Sequence, residues 1–527
     1  MAASLLIPLC LCILLLRGAS AVSDQQEAGR RDSCDRIDRR IRALEPTRRV
    51  DSEAGHTELY DDRDGQLPCA GVAAARITIQ RNGLLLPSYS NSPRLAYIVH
   101  GRGIVGVVIP GCPETYQETS SSSSQEQEDD ERRRRGRRGD EERRRSSEGE
   151  EEEEEETSRR SFEQSIRDEH QRITTVRQGD VVAIPAGAPF WVHNDGDSPL
   201  VAISVHDVSN NANQLDQTSR RFRLAGGQAR SEGRQRYGEG ESSESETERG
   251  GEESYNILSG FDTELLAESM RVSPDIARKL QGRSDKRGNI VRVRRGGLRM
   301  LRPATERVTD EEMMRGANAA AAAGNGIDEA VCLMKLRENV ADPMKADLYT
   351  PNGGRITVLN SQKLPVLKLI KMSVNRGVMR RVNAILAPHW NINAHAAVYA
   401  TSGSARLQVV SSEGRRVFDG ELRRGQMVVV PQSFAVAGRA GDEGFAWVSF
   451  QTSDGAMNAP VVGKSSALRG MPADVLDNAF GVSREEARMV KFGRGQELAI
   501  FSPKSGAAAR RRRFPGHRDD GVLAAPA

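Results

Sequence analysis

Enzyme signatures are missing from this chain. It has no Walker A loop, no G-x-S-x-G elbow and no H-E-x-x-H pair, so phosphate cradling, serine hydrolysis and zincin chemistry each lack their minimal residues. His100, His193 and His206 lie on or beside apolar runs with no nucleophile at a recognisable spacing, and they read as surface or packing histidines. Beyond the N-terminus no apolar stretch is long enough to be a membrane helix. No N-x-S/T sequon occurs, so lumenal transit would add no N-glycan. A charge of one sign is missing too: 76 Lys+Arg stand against 73 Asp+Glu, leaving +3, and a chain so balanced has no strong field with which to capture nucleic acid. Lysine is scarce; arginine, which carries more nitrogen, dominates the basic residues, and Gln and Asn are plentiful. That bias suits a nitrogen reserve.

What is present begins with a short apolar run, Leu5 to Leu16, followed by Arg17 and the small triplet Ala19-Ser20-Ala21. It is too short to span a bilayer and ends in an A-x-A pattern, which predicts a secretory signal peptide over residues 1–21 removed after Ala21. Cys10 and Cys12 leave with it, and Cys34, Cys69, Cys112 and Cys332 remain. Oxidising transit and the lack of any C-x-x-C favour disulfides over buried thiols or a metal set, but four cysteines admit three pairings and the sequence does not choose.

Apolar runs bounded by Gly, Pro and Asn recur in the first half: Arg76 to Gln80, Leu84 to Leu86, Leu95 to Val99, Val105 to Ile109, Val181 to Ile184 and Leu200 to Val205. Comparable runs occupy the second half, at Val366 to Ile370, Ala396 to Thr401, Leu407 to Val410, Met427 to Val430 and Phe445 to Phe450. Short strands separated by turn signals predict an all-β barrel or sandwich, here in two copies. The repeat is plainest where Leu265 to Leu280 faces Val475 to Val490, with Val272-Ser273 matching Val482-Ser483 and Ala277-Arg278 matching Ala487-Arg488. Each segment reads as helix, turn, helix, with Ser273 or Ser483 capping the second helix. Such pairs would dock onto a neighbour.

Corresponding landmarks draw closer along the chain, from Gly101 with Gly403, through Gly179 with Gly425, to Ser273 with Ser483. The first copy therefore carries insertions. Low-complexity tracts fill them: a Ser, Glu and Arg tract over about 118–160, and a Gly, Arg and Glu segment over about 226–253. Neither can bury enough apolar surface to offset its ordering entropy, so both are expected as disordered loops. Arg132 to Arg135 and Arg143 to Arg145 are outnumbered by acids, and no aromatic in the tract can stack on bases, which favours a solvated polyampholyte over an RNA-binding arm.

The most informative stretch is NGIDEAVC, Asn325 to Cys332. It puts an Asn-Gly bond just after a Gly- and Ala-rich run whose start, Thr309 with Glu312, has the form of a capping box, so the bond is expected in a mobile loop open to a protease. Asn325-Gly326, Asp328-Glu329, Cys332, Leu348-Tyr349 and PHWNINAH from Pro388 to His395 together resemble the legumin-type (11S) seed storage globulins over nearly the whole chain. The resemblance implies cleavage after Asn325 by an asparaginyl endopeptidase. It also implies a Cys34–Cys69 bridge, a Cys112–Cys332 bridge across the cut, trimers of the precursor, hexamers after cleavage, and deposition in a storage vacuole. On this reading residues 22–284 form an N-terminal cupin domain in the acidic chain, 285–325 a linker, 326–505 a C-terminal cupin domain in the basic chain, and 506–527 an Arg-rich tail.

The turn and strand pattern also fits the wider cupin superfamily, whose two short motifs normally supply three histidines and one carboxylate to Mn or Fe. Gly179, Pro185, Gly187 and Asn194 stand in register with the second motif, but Phe190 holds the histidine position. Read backward from Gly101, Pro87, Tyr89 and Arg94 replace His, His and Glu. In the second copy His389 keeps a ligand position, while Asn391, Ala396 and Val436 take the others. One imidazole and one amide make a poor site, so no metal or cofactor is expected and His389 reads as structural. The expected fold is β-dominated, two jelly-roll barrels each followed by a small helical extension. A metal-dependent oxalate oxidase-like enzyme is the competing reading and fails on the ligand set; a metal-free cupin that holds a small molecule stays open.

Overall fold

Alternation along one strand shows how the first module is built. In Arg94–His100, Arg94, Ala96 and Ile98 face the interior of the module, whereas Leu95, Tyr97 and Val99 face the other way into a second core. Both faces are buried, and the strand accordingly reads as a nearly continuous apolar run. These features come from a computed structural model that describes residues 34, 37, 40–60, 65–112, 170–227, 255–294, 298, 329–380 and 382–502. The expected signal segment, the 118–160 tract, residues 228–253 of the second tract, the Thr309–Gly324 run, the Asn325-Gly326 bond and the 506–527 tail lie outside the described residues.

The seven-stranded sheet that holds Arg94–His100 has the spatial order Arg48–Ser52, Gly55–Tyr60, Val72–Ile79, Leu200–Asp207, Arg94–His100, Asp180–Ile184 and Arg337–Asn339. Facing it is a second sheet of Arg221–Arg223, Gly83–Ser90, Phe190–His193, Arg102–Val107 and Ile173–Arg177, with Ile290–Arg292 also paired to Gly83–Ser90. Ile77, Ile98 and Val182 of one sheet meet Leu85, Val105 and Phe190 of the other to form the core between them. Strand neighbours distant in sequence and antiparallel throughout make this a jelly-roll arrangement.

The second module is one ten-stranded sheet wrapped on itself. Two strands expected separately, Ala396 to Thr401 and Leu407 to Val410, are a single strand, Ala396–Val410, whose register shifts at Ala400/Ser402 and Gly403/Ala405. The break falls at Gly403, φ 64°, a conformation open to glycine at no steric cost. In the first module Gly101, φ 84°, stands between Arg94–His100 and Arg102–Val107 and ends one strand where Gly403 only bends one.

One expected strand is a helix. The run Val366 to Ile370 is expected as a strand, but Leu367–Ile370 forms a helical turn closed by Lys371 in the left-handed region. The apolar spacing explains it: Val366, Leu367 and Ile370 are separated by three and four, so all three bury together on a helix, which strict alternation would not allow.

Each module is followed by its helix pair. Thr263–Met270 is capped by Asp262 and Pro274–Gln281 by Ser273; Ala473–Phe480 precedes Arg484–Phe492, where Ser483 and Glu486 form a full capping box. The chain is therefore β-dominated, two jelly-roll modules each with a small helical extension.

The modules share a third core, in which Leu95, Tyr97, Val181 and Ile203 of the first meet Leu359, Leu367, Val429 and Phe450 of the second. Polar ties cross the same boundary: the Tyr60 hydroxyl donates to the Gly425 carbonyl at 2.8 Å and Arg376 Nε to Tyr97 Oη at 3.1 Å. The chain also exchanges segments. Ile37 and Ile41, ahead of the first module, pack in the core of the second, and Leu44 bridges to Met427. In return Arg337–Asn339, which follows the Asn325-Gly326 bond, is the edge strand of the first module's sheet.

Candidate functional site

The positions where a cupin would hold metal contain no donor set. In the first module the strand Gly83–Ser90 carries Pro87 and Tyr89. Its register slips between Leu85 and Ser88, and the Pro87 carbonyl accepts from Leu224 N at 2.9 Å. Tyr89 stacks on Phe222 with centroids 5.0 Å apart. Phe190 and Arg94 face each other in the interior, 3% and 1% exposed, with the guanidinium carbon 4.2 Å from the ring centroid. Proline, phenylalanine and a guanidinium coordinate no metal ion, so these residues do not fit one.

The other motif residues have structural roles. Asn194 Nδ2 donates to the Ile79 and Ser198 carbonyls, both at 2.9 Å, and its Oδ1 accepts from Gly196 N at 2.9 Å. Gly179, φ 90°, meets the segment from beyond the Asn325-Gly326 bond: a Cβ there would lie 2.3 Å from the Ala341 Cβ. His193 is buried, its Nδ1 3.1 Å from the Gly83 carbonyl. His206 is buried with Nδ1 3.3 Å from Ser219 Oγ; burial first, then the Arg94 and Arg221 charges, hold it well below the ordinary histidine pKa.

In the second module His389 Nδ1 lies 2.8 Å from the Ala387 carbonyl, and burial lowers its pKa. Asn391, 3% exposed, accepts from Gln451 Nε2 at 3.4 Å, and Gln451 Oε1 accepts from Ser373 at 3.4 Å. Ala396 and Val436 are buried core residues. His389 and Asn391 are thus engaged in holding strand ends. Among the described residues no group of three or more His, Cys, Asp or Glu converges as a metal site would.

The covalent sites lie elsewhere. Cys34 is joined to Cys69, Cα atoms 4.9 Å apart, and Cys112 to Cys332, Cα atoms 5.4 Å apart. Cys332 sits in the short helix Glu329–Leu333, and the second bridge links chain on either side of Asn325-Gly326. Ala21, Asn325 and Gly326 themselves lie outside the described residues.

Sequence reasoning missed a clasp across this same junction. Asp180, 0% exposed at its side chain, accepts from Arg337 Nη1 at 3.0 Å, Asn339 Nδ2 at 2.7 Å and Arg177 N at 2.9 Å. Asp180 follows Gly179 in the cupin-like motif, and nothing near it in sequence marks its partners, which arrive on the returning strand. The helix pairs, in turn, bury little of their apolar surface in one chain. Leu266, Ala267 and Ala277, or Leu476 and Ala487, are covered. Leu265, Ile276 and Met270, and Val475, Phe480, Met489 and Phe492, stand exposed.

Comparison with known proteins agrees with this geometry. The Cupin family matches residues 41–230 and 338–488. Cocosin 1 of Cocos nucifera is 47% identical over 517 residues, 96% of this chain and 98% of that protein. The crystal structure of coconut allergen cocosin superposes with a TM-score of 0.68 at 45% identity, covering 88% of this chain and 99% of that one. The recombinant pro-11S globulin of pumpkin gives a TM-score of 0.68 at 35% identity, covering 89% and 99%. No helix among the described residues is long and apolar enough to cross a membrane.

Proposed function

Because this chain belongs to the cupin family and, within it, to the 11S seed storage globulins, we propose that it is a nutrient reservoir made as a precursor, cut after Asn325 and stored as a disulfide-linked assembly. The observation that carries the reading is the Cys112–Cys332 bridge, which spans 220 residues of sequence and encloses the Asn325-Gly326 bond. A cut there leaves both chains in one covalent molecule. The Asp180–Arg337–Asn339 clasp and the exchanged Ile37–Leu44 arm hold the same two chains together by packing. An asparaginyl endopeptidase would be the processing enzyme, after passage through the secretory pathway to the storage vacuole of a seed.

The exposed helix faces support assembly with copies of this chain, trimers of the precursor first and hexamers after cleavage. If the uncut 309–325 segment covers one face of the trimer, cutting uncovers apolar surface, and its burial at about 25 cal/mol per Å² before association costs drives pairing. The residue set in both barrels argues against a metal-dependent oxidase, and a storage role needs no substrate.

The test is maturation in vitro. Treatment with asparaginyl endopeptidase should give one species on non-reducing electrophoresis, two chains on reducing electrophoresis, and hexamers on sedimentation. Asn325→Gln should remain a folded trimer. Hexamers forming from the uncut variant would separate cleavage from assembly, and failure of the protease to cut at Asn325 would refute the processing site.

A further inference from the structure

The guanidinium of Arg94 is inside the first module, and no carboxylate among the described residues neutralises it. Arg94 is 1% exposed, and its Nε, Nη1 and Nη2 atoms have no hydrogen-bond partner among the described residues. It lines a cavity of about 40 Å³ whose other walls are apolar, among them Ile98, Val105, Phe190 and Leu200, apart from Ser204. Ser204 is 2% exposed and its hydroxyl is also unpartnered. The register places both on one face, since His206 pairs with Arg94 and Ser204 with Ala96 across the same two strands.

The charges felt there are of one sign. Burial, then repulsion from Arg221, disfavours the Arg94 cation, and no carboxylate acts on it among the described residues. His206 opposite is held neutral by burial and by the same two guanidinium groups. A guanidinium does not give up its proton in a protein, and a buried cation without a counter-charge is strongly unfavourable. The contact with the Phe190 ring satisfies none of the guanidinium N–H groups, which stay without a partner among the described residues. Those groups form a planar fork that matches a carboxylate.

We propose that the first barrel is a small-anion site, in which Arg94 and Ser204 hold a monocarboxylate of acetate size in the cavity above Phe190. The size limit follows from the volume: one water needs about 10–15 Å³ by this measure, so the space of about 40 Å³ takes on the order of three to four heavy atoms, as many as acetate has, and excludes an aromatic ring. The anion would stand where a metal-binding relative holds its ion, with the sign of the charges inverted.

The test uses the full disulfide-bonded protein, exchanged into sulfate as the sole counter-ion and equilibrated with [14C]acetate. Equilibrium dialysis should show about one acetate per chain, displaced by formate and not by benzoate or chloride, with a matching rise in Tm. Arg94→Met, which keeps side-chain length and removes the charge, should bind at least about tenfold more weakly and unfold at a temperature no longer raised by acetate. Ser204→Val keeps the charge and narrows the space, and should also lose binding. The absence of saturable acetate in the wild type would overturn the proposal, a result that needs no variant to fold. Equal binding by Arg94→Met, or displacement by benzoate or chloride as effective as by formate, would overturn it as well.

Discussion

Arg94 and Phe190 occupy two positions that a metal-binding cupin would give to a carboxylate and a histidine, and here they contact each other, guanidinium carbon 4.2 Å from the ring centroid. One cation and one ring have replaced an acid and a base, so the pair packs instead of coordinating. Protein purified without chelator should therefore contain no stoichiometric Mn, Fe, Zn or Cu by elemental analysis, and added Mn should leave Tm unchanged. About one metal per chain would restore the enzyme reading. Phe190→Ala, which opens the core beside Arg94, should lower unfolding free energy by about 3–5 kcal/mol.

The clasp at Asp180 predicts that the cut protein survives reduction. After cleavage at Asn325 and reduction without denaturant, the two chains should still co-elute on gel filtration, held by the shared core and the exchanged strands. Asp180→Ala removes the acceptor shared by Arg337, Asn339 and the Arg177 amide and should cost about 1–3 kcal/mol, enough to let the reduced chains separate in mild urea. Separation of the reduced wild type in plain buffer would show that the disulfide alone holds them.

Acid should weaken the second module at one identifiable cross-strand network. Asp419 accepts from Arg406 Nε at 2.7 Å, Arg416 Nη1 at 2.6 Å and Gln408 Nε2 at 3.2 Å. The Arg406 hydrogen bond first, then those from Gln408 and Arg416 against a desolvation penalty, hold its pKa at about 2, down from 3.8. A depressed folded value means that the stabilisation is complete above the unfolded value near 3.8 and is lost as pH falls through about 2. Asp419→Asn should be less stable than wild type by about 1 kcal/mol at neutral pH, the value of a mostly solvated network, and the gap should close in that window. Denaturant titrations at several pH values measure it; a gap that stays constant into strong acid would rule the network out.

The helix pairs should be dispensable for folding and required for assembly. Leu265 is 57% exposed and Phe480 61%, so Leu265→Glu and Phe480→Glu should leave unfolding free energy within about 0.5 kcal/mol of wild type. Sedimentation should find monomers where the proposed assembly of the unaltered precursor predicts trimers, because a charge in the centre of an apolar contact is left desolvated and unpaired. Trimers persisting in the double variant would move the interface elsewhere.

Local pattern determined much of this protein. Turn-bounded apolar runs announced two β modules, and the Ser273 and Ser483 caps announced the helix pairs, because each follows from neighbours within a few residues. The same locality misread Val366 to Ile370, where spacing of three and four in a short run outweighs alternation. What only the tertiary structure decided are the long-range pairings. Asp180 met Arg337, Ile41 joined the far module's core, and Arg94 was buried with no acid acting on it among the described residues. Each depends on which surface closes against which distant segment, and a one-residue change of register would send Asp180, Arg337 and Arg94 to the opposite faces of their strands.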